Sequence, residues 1–87
     1  MRFVTVEPAD RLDRDGEALL LYPDELLRLG PLAQALTALA VSPATLAELT
    51  AGVVELFGEP EGQDATALVR AAASDLVARG ALREEEA

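Results

Sequence analysis

The sequence predicts an α+β domain in which a three-stranded antiparallel sheet is followed by three helices. Residues 1–29 contain short apolar runs separated by turn residues, a pattern typical of strands. From Pro31 onward, apolar residues recur at spacings of three and four, which indicates amphipathic helices. Strands that precede helices favour a fold in which the helices cover one face of the sheet. At 87 residues the chain is expected to form a single domain, over residues 1–82.

The composition limits the kind of core and the kind of partner. Hydrophobic residues make up 51% of the chain but aromatic residues only 3%, so we expect a core of small aliphatic side chains. Phe3, Tyr22 and Phe57 are the predicted large anchors of that core. The net charge of −9 disfavours nucleic acids and anionic membranes, because both attract clustered Lys and Arg.

The chain contains neither cysteine nor histidine. A disulfide, a thiolate nucleophile, an imidazole base and a Cys/His metal site are therefore excluded, and we expect neither a metal nor a cofactor. The sequence has no run of 18 apolar residues and no secretion signal, which predicts a soluble cytoplasmic protein.

The first predicted strand spans residues 1–7, which are enriched in Phe, Val and Thr and alternate in character. Pro8 ends this strand. Residues 9–16 are rich in charge and are predicted to form a solvated loop, in which Asp15-Gly16 is a favourable turn pair.

A central hairpin is predicted next. Residues 18–22 are an apolar run of strand length, residues 23–25 supply turn chemistry through Pro and Asp, and residues 26–29 form the following strand. Leu27 and Leu29 share one face of that strand. A short hairpin is marginal alone, so its apolar face needs a helical layer.

Three helices are predicted, at residues 31–39, 44–56 and 64–79. Thr45 and Glu48 have capping-box spacing at the start of the second helix. The expected core positions are Leu32, Ala35, Leu36 and Leu39, then Leu46, Leu49, Val53 and Leu56, and finally Ala65, Leu68, Val69, Ala72 and Leu76.

The end of the chain is predicted to be less ordered. Ala81 and Leu82 are expected to pack back on the core as a short extension. Residues 83–87 are predicted to be an acidic, disordered tail.

Few residues are suited to catalysis. Three carboxylate pairs could act as acid and base or bind a hard cation, namely Asp13/Asp15, Asp24/Glu25 and Glu59/Glu61. Acidic residues in loops are common for solubility, so we interpret these pairs as solvated. No phosphate-binding glycine loop is present, because Gly58 and Gly62 lack the following Lys-Ser/Thr. The protein is therefore not expected to be an enzyme.

Two classes of binding function remain open at this level. A winged-helix regulator that contacts DNA needs a basic recognition helix, but the third helix balances Arg70 and Arg79 against Asp64 and Asp75. Such a regulator could still contact another protein. The other alternative is a structural subunit whose acidic surface docks on a biosynthetic enzyme.

A three-stranded meander also leaves two unpaired edges. An exposed edge is a row of free N–H and C=O groups with which an extended peptide, or a second copy of the chain in a homodimer, can pair. Main-chain hydrogen bonds then give affinity and side-chain pockets give specificity.

Three segments resemble the PqqD-like family in their order and spacing. Residues 20–29, LLYPDELLRL, resemble the family's strand–turn–strand, and residues 45–49, TLAEL, resemble the start of its second helix. Phe57 stands where a helix-ending aromatic is usual, and residues 76–82, LVARGAL, resemble the closing pattern. The family includes the peptide chaperones of pyrroloquinoline quinone biosynthesis and the recognition elements of ribosomally made, modified peptides.

This resemblance implies a winged-helix-like fold and a mechanism. The leader of a precursor peptide would add as a strand to the third strand, beside the third helix, and be presented to a modifying enzyme or leader peptidase. Arg28 and Arg70 would pair with carboxylates of the leader. The peptide-binding residues that the resemblance implies are Leu26, Leu27, Arg28 and Leu29 on the strand and Ala67, Leu68, Arg70, Ala71 and Ser74 on the helix.

Overall fold

The structure is a computed structural model that describes residues 1–86. Those residues form an α+β fold of three helices and two small antiparallel sheets, so the predicted class is confirmed. In chain order the elements are β1 (Arg2–Thr5), β2 (Asp10–Arg14), β3 (Glu17–Tyr22), β4 (Glu25–Leu29), α1 (Pro31–Leu39), α2 (Leu46–Phe57), α3 (Ala65–Ala78) and β5 (Leu82–Glu85).

The three-stranded sheet has the order β2-β3-β4. Two-residue turns join its strands, Asp15-Gly16 first and Pro23-Asp24 second. The φ angles of Asp15 and Gly16 are 51° and 79°, the left-handed values that a tight hairpin turn requires and that glycine adopts without strain. The predicted central hairpin is thus the β3–β4 pair, with Leu20 opposite Leu27.

The first strand of this sheet was predicted to be a loop, and that prediction is wrong. Residues 10–14 form β2, although four of the five are charged. Arg11 donates to both carboxylate oxygens of Asp13, at 2.8 and 2.9 Å, and to Thr37 Oγ1 of α1 at 3.0 Å. Gln34 Nε2, also on α1, donates to Asp13 Oδ1 at 3.0 Å. A charged run can form a strand here because α1 supplies partners for the charges that face it.

The predicted first strand does not join the meander. β1 instead pairs with β5, with Arg2 opposite Glu85. The other side of β1 is hydrogen-bonded to the α1–α2 connection, through the amides of Phe3 and Thr5 and the carbonyls of Ala44 and Ala40. Phe3 and Val4 point to opposite faces of this strand, and both are buried.

The same pairing corrects the prediction of a disordered tail over residues 83–87. Residues 83–85 belong to β5, and Leu82 is buried in the core as expected. Acidic composition alone does not prevent this pairing, since backbone bonds to β1 form whatever the side chains are. Ala87 lies outside the described residues.

The three predicted helices are present with bounds that differ by two residues at most. The capping box of α2 is formed: Glu48 N donates to Thr45 Oγ1 at 3.1 Å and Thr45 N to Glu48 Oε1 at 2.8 Å. These hydrogen bonds to Thr45 lower the pKa of Glu48. Asp64 occupies the N-cap position of α3, but its side chain caps no backbone amide.

The core lies between the inner face of the three-stranded sheet and the three helices. Its fully buried side chains include Leu20 and Leu29 from the sheet and Leu36, Leu49 and Leu76 from the helices. Of the predicted anchors, Phe3 is buried. Tyr22 is half-buried, and its hydroxyl donates to the Val6 carbonyl at 2.8 Å.

The prediction that Leu56 and Phe57 pack inside is wrong. Leu56 is 61% exposed and Phe57 is 55% exposed, whereas Leu49 and Val53 of the same helix are buried. The helical spacing is correct for a core position, but the last turn of α2 projects beside Ala38 and Val41, where no element within residues 1–86 covers it.

We expect the Asp13 carboxylate to make stability depend on pH. Hydrogen bonds from Arg11 and Gln34 lower the pKa of Asp13 to about 2. A lowered folded-state pKa gives stability that is present above the unfolded value and lost as pH falls through the folded value. The Asp13 side chain is 45% exposed, so solvent screens the interaction and we expect about 1 kcal/mol at neutral pH.

The measurement is urea unfolding of wild type and Asp13→Asn between pH 7 and pH 2. The difference in unfolding free energy should shrink as pH falls from about 5 to about 2. Asp15→Asn is the matched control, since its carboxylate is 92% exposed and lies 3.9 Å from Arg14 Nε. If the difference in unfolding free energy between wild type and Asp13→Asn stayed constant with pH, the lowered pKa of Asp13 would be contradicted.

Gly52 allows α1 and α2 to approach closely. A Cβ at this position would lie 2.8 Å from Leu39 Cδ1. Gly52→Ala gains about 1 kcal/mol of helix propensity, which the shift of the Leu39 side chain offsets, so we expect nearly unchanged stability. Gly52→Val should cost about 1–3 kcal/mol through overpacking. Ala51→Val, on the exposed neighbouring position, is the control in thermal unfolding; an equal loss in both valine variants would contradict the close crossing.

Candidate functional site

Three strands of the described chain have an unpaired side: β2, β4 and β5. Charged side chains are a common protection of such edges against pairing with other chains. The strand sequences are DRLDR for β2, LREE for β5 and ELLRL for β4. The β4 edge therefore carries the smallest share of charge, and we take it as the candidate site.

The turn sets which backbone groups of β4 point outward. A two-residue turn makes Tyr22 and Glu25 a hydrogen-bonded pair, and such pairs alternate along an antiparallel ladder. Leu27 and Leu29 therefore exchange hydrogen bonds with β3, while Leu26 and Arg28 direct their N–H and C=O groups away from the sheet. The Arg28 carbonyl accepts a hydrogen bond from outside the sheet, which agrees with this alternation.

The four strand residues of the predicted site thus divide into two pairs. Leu27 and Leu29 are buried and hold β4 on the core. Leu26 is 61% exposed, and the side chain of Arg28 is 73% exposed. Arg28 Nη2 donates to Glu17 Oε1 at 3.1 Å on the outer face of the sheet. The residues with outward backbone groups are the same ones whose side chains meet solvent.

The end of α3 reaches β4, and the start of α3 lies near the residues that follow β4. Near the start of α3, Leu68 lines a pocket together with Pro31, two residues after β4 ends. Just beyond the end of α3, Arg79 Nη2 donates to the Arg28 carbonyl at 3.3 Å. Leu68 and Arg79 are eleven residues apart, which is about three helical turns, so they share one side of the helix.

The structure does not bring all of the other predicted helix residues to this side. Arg70 follows Leu68 by two residues and lies about 160° around the helix from it. Ala67 and Ser74 are exposed and also lie away from the side that Leu68 and Arg79 share. Ala71 is exposed as well, but it follows Leu68 by three residues and lies about 60° from it, at the border of that side. Arg79, which contacts the β4 edge, was not among the predicted site residues. The spacing of Leu68, Ala72, Asp75 and Arg79 at i, i+4, i+7 and i+11 is the signal that could have found it.

The pocket beside Leu68 is apolar and has a volume of about 250 Å³. It lies where the start of α1, the end of α2 and the start of α3 meet. Its wall includes Pro31, Leu32, Val53, Phe57, Leu68 and Val69. The pocket is thus at the end of the β4 edge that leads into α1.

The outer face of the three-stranded sheet is a second apolar surface. Leu12 lies opposite Leu19, and Leu21 opposite Leu26, so the four side chains run across all three strands. Leu12, Leu21 and Leu26 are 57%, 46% and 61% exposed. Apolar groups grouped in this way on a sheet often mark a contact surface.

The acidic residues considered for catalysis are not assembled into one site. Asp13 is held by Arg11 and Gln34. Within residues 1–86, no three acidic side chains are grouped as a metal site would require. No helix in the same part of the chain is long and apolar enough to cross a bilayer.

Comparison of the chain with protein-family models, with curated proteins and with solved structures gives no match.

Hydrogen exchange tests the assignment of the outward groups. In the free protein, the amides of Leu26 and Arg28 should exchange markedly faster than those of Leu27 and Leu29, because only the latter donate to β3. The amides of Leu19 and Leu21, which lie in the central strand, are protected controls for NMR-detected exchange. Equal protection at all four β4 amides would mean that the edge is covered.

Proposed function

We propose that the protein is a non-catalytic peptide-binding protein of the cytoplasm. It captures the leader of a ribosomal precursor peptide by strand addition and presents it to a modifying enzyme or leader peptidase. A winged-helix-like arrangement of the sheet and helices is part of this proposal. The observation that carries it is the β4 edge, which is unpaired within residues 1–86, carries little charge and is reached by Arg79 at the end of α3.

The local chemistry supports strand addition. Leu26 and Arg28 offer two N–H donors and two C=O acceptors to an incoming strand. Four backbone hydrogen bonds at about 1 kcal/mol each give about 4 kcal/mol, whereas micromolar affinity requires about 8 kcal/mol. Side-chain contacts must supply the rest.

The surroundings of the edge can supply those contacts. Burying one Leu or Phe side chain of the peptide in the pocket beside Leu68 gives about 1.5–3 kcal/mol. Leu26 offers a second apolar contact on the outer face. The peptide expected from this arrangement has an apolar residue placed beyond the strand-pairing segment, at the end near Pro31.

The segment that resembles PqqD-like proteins has a structural role that fits this reading. Tyr22 of the LLYP run closes the β3–β4 turn and donates its hydroxyl hydrogen bond to Val6, which anchors the hairpin to the segment after β1. A rigid hairpin keeps the β4 edge straight before the peptide arrives, which lowers the entropic cost of binding.

A second candidate is docking on a biosynthetic enzyme as a structural subunit. The apolar outer face of the sheet, with Leu12, Leu21 and Leu26 exposed, favours it. This surface is a face of the sheet and the β4 edge is its side, and Leu26 belongs to both.

Isothermal titration tests the peptide proposal, with the synthetic leader of a short precursor peptide encoded beside the gene. Arg28→Pro removes the outward N–H but leaves the hydrogen bonds of Leu27 and Leu29 to β3, and proline is tolerated on edge strands. We expect at least about a tenfold loss of affinity from the lost hydrogen bond and the altered edge.

Arg28→Ala is the matched control, because it removes the side chain and keeps the N–H. Its affinity should stay within about threefold of wild type, as an exposed ion pair contributes little. Circular dichroism must show both variants folded. Wild-type affinity in folded Arg28→Pro, or no saturable binding by the wild type, would contradict strand addition at β4.

A further inference from the structure

We propose that Arg79 is the specificity-determining residue of the β4 edge and selects a peptide with an Asp or Glu at one register position. This inference rests on the proposed function, because it concerns the peptide that pairs with β4. It goes beyond it by naming the residue that recognises the peptide and the side chain that is recognised.

The guanidinium of Arg79 lies at the edge and is loosely held. Its Nη2 donates to the Arg28 carbonyl at 3.3 Å, longer than usual for this type of bond. Its Nη1 lies 3.7 Å from Asp75 Oδ2, beyond hydrogen-bond distance. The side chain is 38% exposed. A guanidinium has five N–H donors, so most of them are available for another acceptor.

Strand addition involves the carbonyl that Arg79 now occupies. An incoming strand donates one of its backbone N–H groups to the outward carbonyl of Arg28. A carbonyl oxygen can accept two hydrogen bonds, so the incoming N–H and Arg79 can share it, and the guanidinium then lies directly beside the bound peptide. A peptide with a suitably placed carboxylate gives Arg79 a charge-assisted partner, so it gains a contact that a peptide without a carboxylate lacks.

The pairing pattern places the required acid. In an antiparallel or parallel ladder, the residue opposite Arg28 points its side chain to the same, outer face of the sheet. Its two neighbours in the peptide point to the inner side, toward α3 and Arg79. The acidic residue is therefore directly adjacent in the peptide to the residue that pairs with Arg28.

The other arginines near the site are less suited to this contact. Arg28 directs its side chain to the outer face and is bound to Glu17. Arg70 lies on the opposite side of α3 from Arg79. The net charge of −9 disfavours acidic residues elsewhere in the peptide, so a single acid beside Arg79 is a discriminating requirement.

The test is selection from a phage-displayed library of random twelve-residue peptides on wild type, Arg79→Glu and the control Arg70→Glu. Wild type and Arg70→Glu should enrich peptides with Asp or Glu at one position, and Arg79→Glu should enrich Lys or Arg there. An enriched acidic peptide changed to its amide should lose about tenfold in affinity for wild type but less than about twofold for Arg79→Gln.

Three results separate the possible failures. Enriched peptides that protect the Leu26 and Arg28 amides from exchange but show no Arg79-dependent acid preference would overturn this inference and leave strand addition intact. An acid preference that is lost equally in Arg70→Glu would also overturn it. No enrichment over Arg28→Pro would overturn the proposed function and the inference together. Circular dichroism establishes that each variant is folded.

Discussion

The burial of Leu27 and Leu29 is the constraint on which the site depends. In a strand, residues alternate both in the face of their side chains and in the direction of their backbone groups. The turn at Pro23-Asp24 determines which backbone groups of β4 face β3, and the burial of Leu27 and Leu29 determines which side chains face the core. As a result, the residues with outward backbone groups also present their side chains to solvent. A shift of one residue would bury Leu26 and Arg28 and lose this arrangement.

Local sequence patterns were sufficient to predict the elements whose contacts are with residues close in sequence. The β3–β4 hairpin and the three helices follow from turn residues and helical spacing. β2 and β5 could not be recognised in this way, because their sequences carry mostly charged residues. β2 is stabilised by partners on α1, and β5 by pairing with residues some eighty positions away. Such distant partners leave no signal in a short window of sequence.

The candidate site also combines residues that a local sequence segment indicates with residues whose placement depends on the tertiary structure. The strand residues of the proposed site come from the resemblance, which covers a contiguous segment, residues 20–29. The helix residues depend on how α3 is rotated about its axis, which small residues do not reveal: Ala67, Ala71, Ala72 and Ala73 look alike in sequence, yet only Ala73 is fully buried. Leu68 is large enough to mark one side of α3 in the sequence, whereas Arg79 lies just beyond the helix end, where the helical spacing carries less weight.

The pairing of β1 with β5 has a mechanical consequence. Arg2 lies opposite Glu85, so the two strands leave the fold side by side at the same end of the ladder. A force that pulls Arg2 and Glu85 apart acts on the β1–β5 hydrogen bonds one after another, beginning at this end of the ladder, and not on all of them together. The force that separates β1 from β5 is therefore set by one residue pair of the ladder at a time. The burial of the core leucines does not change this, because they are not loaded first.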